Sequence, residues 1–162
     1  MNYKQKILKY DIFFMLQAIK EARKAIKANE IPVGAIITKN KEIIAKGFNK
    51  CISLCDPTAH AENIVLRNAG KKLKNYRLNN CSIYVTMEPC IMCIGALINA
   101  RIKKIIFGTF DKKNIVHKFM YNEKIYKSFN HKIEIICADN HHINMICSNI
   151  LKDFFKKKRA KK

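Results

Sequence analysis

Four residues with chemistry to offer stand in two short runs, His60-Ala61-Glu62 and Pro89-Cys90-Ile91-Met92-Cys93. A metal that activates water needs about three protein ligands and one vacant position. His60, Cys90 and Cys93 supply such a set. A Cys-x-x-Cys pair lets two thiolates face one ion, and the dipole of a helix N-terminus favours their ionised form. Glu62 is too near His60 to join the same ligand shell without strain. It is well placed to take a proton from an activated water and deliver it to a leaving nitrogen. Two other uses of these residues stay open. The cysteines could be a redox pair, which requires neither His60 nor Glu62. A closed structural zinc site would need a fourth ligand, for which Cys55 is the nearest candidate.

Elements that start at the right places must carry these runs. Residues 82–87 read as a buried strand leading into Pro89, and residues 90–100 as the helix that follows. Pro57 and Thr58 open a helix over 58–69, with His60 and Glu62 in its first turn and Gly70 as its stop. Before them, apolar residues at 12, 13, 16, 19, 22 and 26 predict an amphipathic helix over 10–29. A hairpin follows, with strands 33–38 and 42–48, then a loop over 49–56. Strands 103–107 and 133–138 and a last helix over 142–158 complete the chain, with an irregular helix expected at 111–128. This alternation predicts an α/β fold of three layers, α/β/α, around a five-stranded mixed sheet.

The whole chain of 162 residues is expected to be one domain, with residues 1–9 and 160–162 as its flexible basic ends. There is no internal repeat and no linker rich in proline or glycine. No run approaches the ~18–20 apolar residues of a membrane span, so no membrane partner is expected. The first residues lack the apolar stretch of a secretory signal. The expectation is a soluble protein of the cytoplasm or an organelle. Most of the seven cysteines are expected to be reduced, with Cys81, Cys137 and Cys147 acting as small core hydrophobes. The net charge is +20, from 32 basic against 12 acidic residues. A composition that favours Lys on the surface and an anionic partner such as nucleic acid both account for it.

The pattern His60-x-Glu62 with Pro89-Cys90-x-x-Cys93 resembles the zinc-dependent nucleobase deaminases. Glu30-Ile-Pro-Val-Gly-Ala35, Asp56-Pro-Thr-Ala-His-Ala-Glu62, Asn75-Tyr-Arg-Leu78, residues 83–93, Phe107-Gly108, Asn130-His131 and Asp153-Phe-Phe155 carry the likeness further. Together, over residues 10–159, they resemble the bacterial tRNA-specific adenosine deaminases. That resemblance implies a cytidine-deaminase-like fold, with His60, Cys90 and Cys93 holding one zinc per subunit. It gives Glu62 the proton transfers as water attacks C6 of adenine, ammonia leaves and inosine remains. The substrate it implies is the wobble adenosine of an arginine tRNA, flipped out of the anticodon loop of the stem-loop. It further implies that Asn49 hydrogen-bonds the base, Val33 and Pro89 line its pocket, and Asp111 meets a flanking nucleotide. Phe155, Lys158 and Arg159 of the last helix would lie along the RNA, and the working form would be a homodimer. Two stretches depart from the family. Residues 114–119 are bulky where a small, glycine-containing stretch is usual, and 136–145 is longer and lacks a glycine. The rival readings are a deaminase of free cytosine, cytidine or guanine, and a non-catalytic zinc or RNA-binding module. Glu62 speaks against the second.

Overall fold

Strands that read as nearly unbroken apolar runs belong in a sheet covered on both faces, and that is how they are used. The computed structural model describes residues 4–5, 7–111 and 128–160. Its elements are β1 (Lys4–Gln5), α1 (Lys9–Lys27), β2 (Gly34–Lys39), β3 (Glu42–Phe48), α2 (Ala61–Leu73), β4 (Cys81–Val85) and α3 (Ile91–Asn99). After these come β5 (Lys104–Phe107), β6 (Glu134–Ala138) and the final helix, here α4 (His141–Arg159). One mixed sheet has the order β1-β6-β5-β4-β2-β3. β2 runs antiparallel to β3 and β4, while β4, β5, β6 and β1 are parallel neighbours.

The register divides each strand between two cores. Ala35, Val85, Phe107 and Cys137 form one row across the sheet. That row packs with Ala61, Val65 and Ala69 of α2 and Ile94, Leu97 and Ile98 of α3. One residue earlier in three of the strands, and one later in β2, the row Ile36, Tyr84, Ile106 and Ile136 faces the other way. It meets Phe14, Met15, Ala18 and Ile19 of α1 and Ile143 and Cys147 of α4. The period of two in a strand is the cause. The polar exception in this second core is Asp11, which accepts from the Tyr84 hydroxyl at 2.7 Å and from Leu8 N at 3.0 Å. α1 lies so close to β2 that a Cβ on Gly34 would fall 2.2 Å from Ala18 O and 2.3 Å from Ala22 N.

The sheet, its two helical layers and the buried Cys81, Cys137 and Cys147 agree with the sequence reading. Four differences have physical reasons. A sixth strand, β1, joins the edge of the expected five by pairing Lys4 with Cys137 and Gln5 with Ala138. With α1 starting at Lys9, part of the stretch read as a basic end thus belongs to the fold. α2 begins at Ala61, three residues late, because Thr58 is engaged with Asp56 instead. α2 also runs through Gly70, the expected stop, to Leu73. Lys74 takes the left-handed turn at φ 49°, and Asn75 N bonds back to Gly70 O at 3.1 Å, the closure usually left to glycine. The expected helix over 111–128 and the unusual 114–119 stretch lie outside the described residues, apart from the helix's two end positions. The other departure, 136–145, forms the end of β6, a turn, and the start of α4, where Asn140 Oδ1 caps Ile143 N at 3.1 Å.

Candidate active site

Parallel strands β4, β5 and β6 all end at one edge of the sheet, the usual place for a ligand in an α/β fold. β2 starts there, joined to the end of β4 by Gly34 N to Thr86 Oγ1 at 3.1 Å and Thr86 N to Gly34 O at 3.0 Å. Two helix starts converge on this edge. Asp56 builds the first by accepting from Thr58 N and Thr58 Oγ1, both at 2.7 Å. These bonds hold the Asp56 carboxyl below its ordinary pKa. Asn63 Nδ2 donates to Thr58 O at 2.8 Å, and Asn49 Oδ1 takes Ala61 N at 2.8 Å. The chain therefore turns at His60, an extended N-cap, and delivers Glu62 into the first turn of α2 with 3 % exposure. The second start comes from Glu88 N bonding Thr109 O at 2.8 Å, with Cys90 as the N-cap of α3 and Cys93 buried in its first turn.

His60 Nδ1, Cys90 Sγ and Cys93 Sγ form a triangle with every side 3.6 Å. Tetrahedral zinc at its usual bond lengths would set its sulfurs about 3.8 Å apart and each sulfur about 3.6 Å from the nitrogen. The donor set fits the ion in type and spacing. Its charges fit as well. Hydrogen bonding from Cys93 lowers the Cys90 pKa to about 4, against the effect of burial and with help from His60. Cys93 is pushed the other way, first by its bond to Cys90 and then by burial. One negative charge is thus shared by two adjacent sulfurs, a conflict that a divalent cation removes. Burial pushes Glu62 up to about 7, and its carboxyl lies near enough to Cys93 to help raise the pKa of that thiol. The pKa of His60 is raised, chiefly by its bond to Cys90.

The structure therefore brings together His60, Glu62, Cys90 and Cys93. Among the described residues no fourth ligand joins the triangle. Cys55 is exposed, with its Sγ 3.8 Å from Ile52 O, and burial raises the pKa of the Cys51 thiol. A closed structural site thus lacks its expected fourth ligand, and a redox pair would leave His60 in the triangle unexplained. Asn49 is buried beside the α2 start, and its backbone N donates to Val33 O at 3.1 Å. Val33 and Pro89 are both buried at the strand ends of this edge. Asp111 N donates to Glu88 Oε2 at 3.2 Å. Phe155, Lys158 and Arg159 lie elsewhere, on the last turns of α4. There Lys158 Nζ reaches Asn29 Oδ1 at 2.7 Å, and Phe155 is 42 % exposed rather than in the core. Sequence reasoning assigned no role to two buried acids of this edge, Glu30 and Glu88. The trace each leaves is an acid set directly against an apolar run, before Ile31-Pro32-Val33 and between Met87 and Pro89.

The model of the MafB19-like deaminase family matches residues 10–159. The protein is also 40 % identical over 147 residues to the tRNA-specific adenosine deaminase of Aquifex aeolicus, covering 91 % of this chain and 95 % of that one. The chain belongs to this deaminase family, among the tRNA-specific adenosine deaminases. A solved structure from work on A-to-I editing by tRNA:A34 deaminases superposes with a TM-score of 0.76 and 32 % identity, covering 86 % of the deaminase and 99 % of that chain. The guanine deaminase of Bacillus subtilis matches at 31 % identity and a TM-score of 0.61, covering 85 % and 91 %. The deaminase is a hydrolytic enzyme of the cytidine-deaminase-like α/β fold. Among its described residues no helix is long and apolar enough to cross a membrane.

Proposed function

We propose that this deaminase converts the wobble adenosine of a tRNA anticodon to inosine, with His60, Cys90 and Cys93 holding one zinc ion. The observation that carries the reading is the triangle of ligand atoms with a buried, unligated Glu62 against it. Bound there, zinc would act as a Lewis acid toward water. Glu62 removes a proton from the attacking water and carries it to the adenine. As the C6–O bond forms that proton settles on N1; Glu62 then takes the proton of the new C6 hydroxyl and passes it to N6, and the C6–N6 bond breaks to release ammonia and leave inosine. Burial, which raises the pKa of Glu62, favours the protonated form that must donate to the leaving nitrogen.

Asn49 spends its Oδ1 on Ala61 N, which leaves its Nδ2 to donate to the base. Val33 and Pro89 make an apolar wall for the purine, and Asp111 meets the neighbouring nucleotide. Phe155, Lys158 and Arg159 follow the anticodon arm, where cations neutralise phosphates and an aromatic ring stacks on a base. We read the substrate as an arginine tRNA, the working form as a homodimer, and the compartment as the cytoplasm.

The test is inosine formation by the zinc-loaded protein on an arginine-tRNA anticodon stem-loop, with free adenosine, cytidine and guanine alongside. Wobble inosine that disappears in Glu62→Ala is the expected result. Turnover of guanine or a nucleoside alone would move the substrate to the free-base reading, which the guanine deaminase likeness keeps in play. Full activity in Glu62→Ala would overturn the proton-transfer role.

A further inference from the structure

Glu30 joins the end of α1 to β2, and only 1 % of its surface is exposed. Its two carboxylate oxygens take separate donors from a segment more than twenty residues away. Ser53 N donates to Oε1 at 2.7 Å and Ile52 N to Oε2 at 3.2 Å. Among the described residues no lysine or arginine forms a salt bridge with it. Burial works to raise its pKa, but the Ser53 and Ile52 bonds outweigh it and hold the group below its ordinary value. A buried anion is thus satisfied by the amides of one loop.

Beyond its own turns, in which Leu54 N bonds Lys50 O at 3.0 Å and Cys55 N bonds Ile52 O at 3.2 Å, that loop has few ties to the rest of the fold. Ile52 and Leu54 turn outward, with 57 % and 54 % exposure, so apolar packing does not seat them. Asp56 N to Cys51 O at 3.1 Å and Lys50 N to Ala59 O at 2.9 Å close its base. The residues at that base are the ones the site depends on. Asn49 precedes the loop, and the Asp56 turn that aims His60 and Glu62 follows it.

We propose that Glu30 is a positioning residue for the active site. By binding the amides of Ile52 and Ser53 it pins the 50–55 loop to the end of α1, and so holds Asn49 and the start of α2 in the geometry that receives the base. This rests on the base-binding role given above to Asn49. A loop that swings away strips a buried carboxylate of its donors, and the penalty for an unsatisfied buried charge keeps it closed. Glutamine cannot replace glutamate here without loss, because its NH2 would face one of the two N–H donors.

The bonds can be removed from either side, by Glu30→Gln or by Ser53→Pro, which deletes the shorter bond and leaves the carboxylate. Three quantities are read in the zinc-loaded protein: amide exchange at Ile52, KM against kcat, and zinc per chain. The expected result in both variants is faster exchange at Ile52 and a kcat/KM lower by about tenfold, mainly through KM, at unchanged zinc. Should Glu30→Gln not fold, Ser53→Pro carries the same comparison. Faster exchange with KM within about twofold of wild type, unchanged exchange, or loss of zinc in step with activity overturns the proposal. If the wild type deaminates a free base and not the stem-loop, the tRNA reading fails, while KM for that base still decides the role of Glu30. No turnover of any base by the wild type overturns both.

Discussion

At the scale of single residues, the site is a problem of negative charge. Cys90, Cys93 and Glu62 lie together in a largely buried corner, and the sulfurs stand 3.6 Å apart. Without a cation only one of the thiols ionises readily, which is why their pKa values part in opposite directions. Cys93→Ser therefore should lower zinc affinity by more than about tenfold, as judged by competition with a chelator, with turnover falling in step. Glu30 shows the other way to keep an anion inside a protein, with backbone donors in place of a metal. Its folded pKa is depressed, so its contribution to stability is present above the ordinary carboxylate pKa of 4.5 and is lost as pH falls through the folded value. The stability gap between wild type and Glu30→Gln, from urea unfolding, should narrow as pH falls below 4.5. A gap that is constant from neutral pH to pH 3 would show that Glu30 is not held ionised in the fold.

Elements act by how closely they approach. Gly34 lets the backbone of α1 touch the first residue of β2, which also bonds Thr86 at the foot of the turn that leads to Cys90. An added methyl would meet backbone atoms, which cannot rotate aside. Gly34→Ala should cost about 1–3 kcal/mol in urea unfolding, and more if α1 must lift from the sheet. A midpoint equal to wild type would mean that α1 moves away without resistance. Legibility at this scale varied with the range of the interaction. α1 and the β2–β3 hairpin were readable because their apolar periods and turn residues are local. The start and end of α2 were not. Asn49 Oδ1 takes the first helical amide from twelve residues upstream, and Lys74 accepts the left-handed turn expected of Gly70. Neither choice is written in the helix's own residues.

Across the whole molecule, α2 points its two ends at different surfaces. His60 and Glu62 sit at the sheet edge, while Lys71 and Lys72 occupy the last turn of a 13-residue helix, about 15 Å away along its axis. At the far end of α4, beside Arg159, Lys158 is tied instead to Asn29, just before Glu30 and β2. Neutralising Lys158 and Arg159 should reduce the salt dependence of stem-loop binding by about one to two units of slope, and neutralising Lys71 and Lys72 should change it less. Equal effects from both pairs would spread the RNA surface over the molecule. The sequence by itself determined the three layers and the family and put His60, Glu62, Cys90 and Cys93 forward together, because each is carried by residue type at short spacing. Tertiary structure alone decided that the two helix starts meet as a 3.6 Å triangle, that Lys4–Gln5 extends the sheet beside β6, and that Glu30 holds the 50–55 loop. The reason is range. Each of these joins segments more than twenty residues apart, and only a packed sheet with helices on both faces brings such segments within hydrogen-bonding distance.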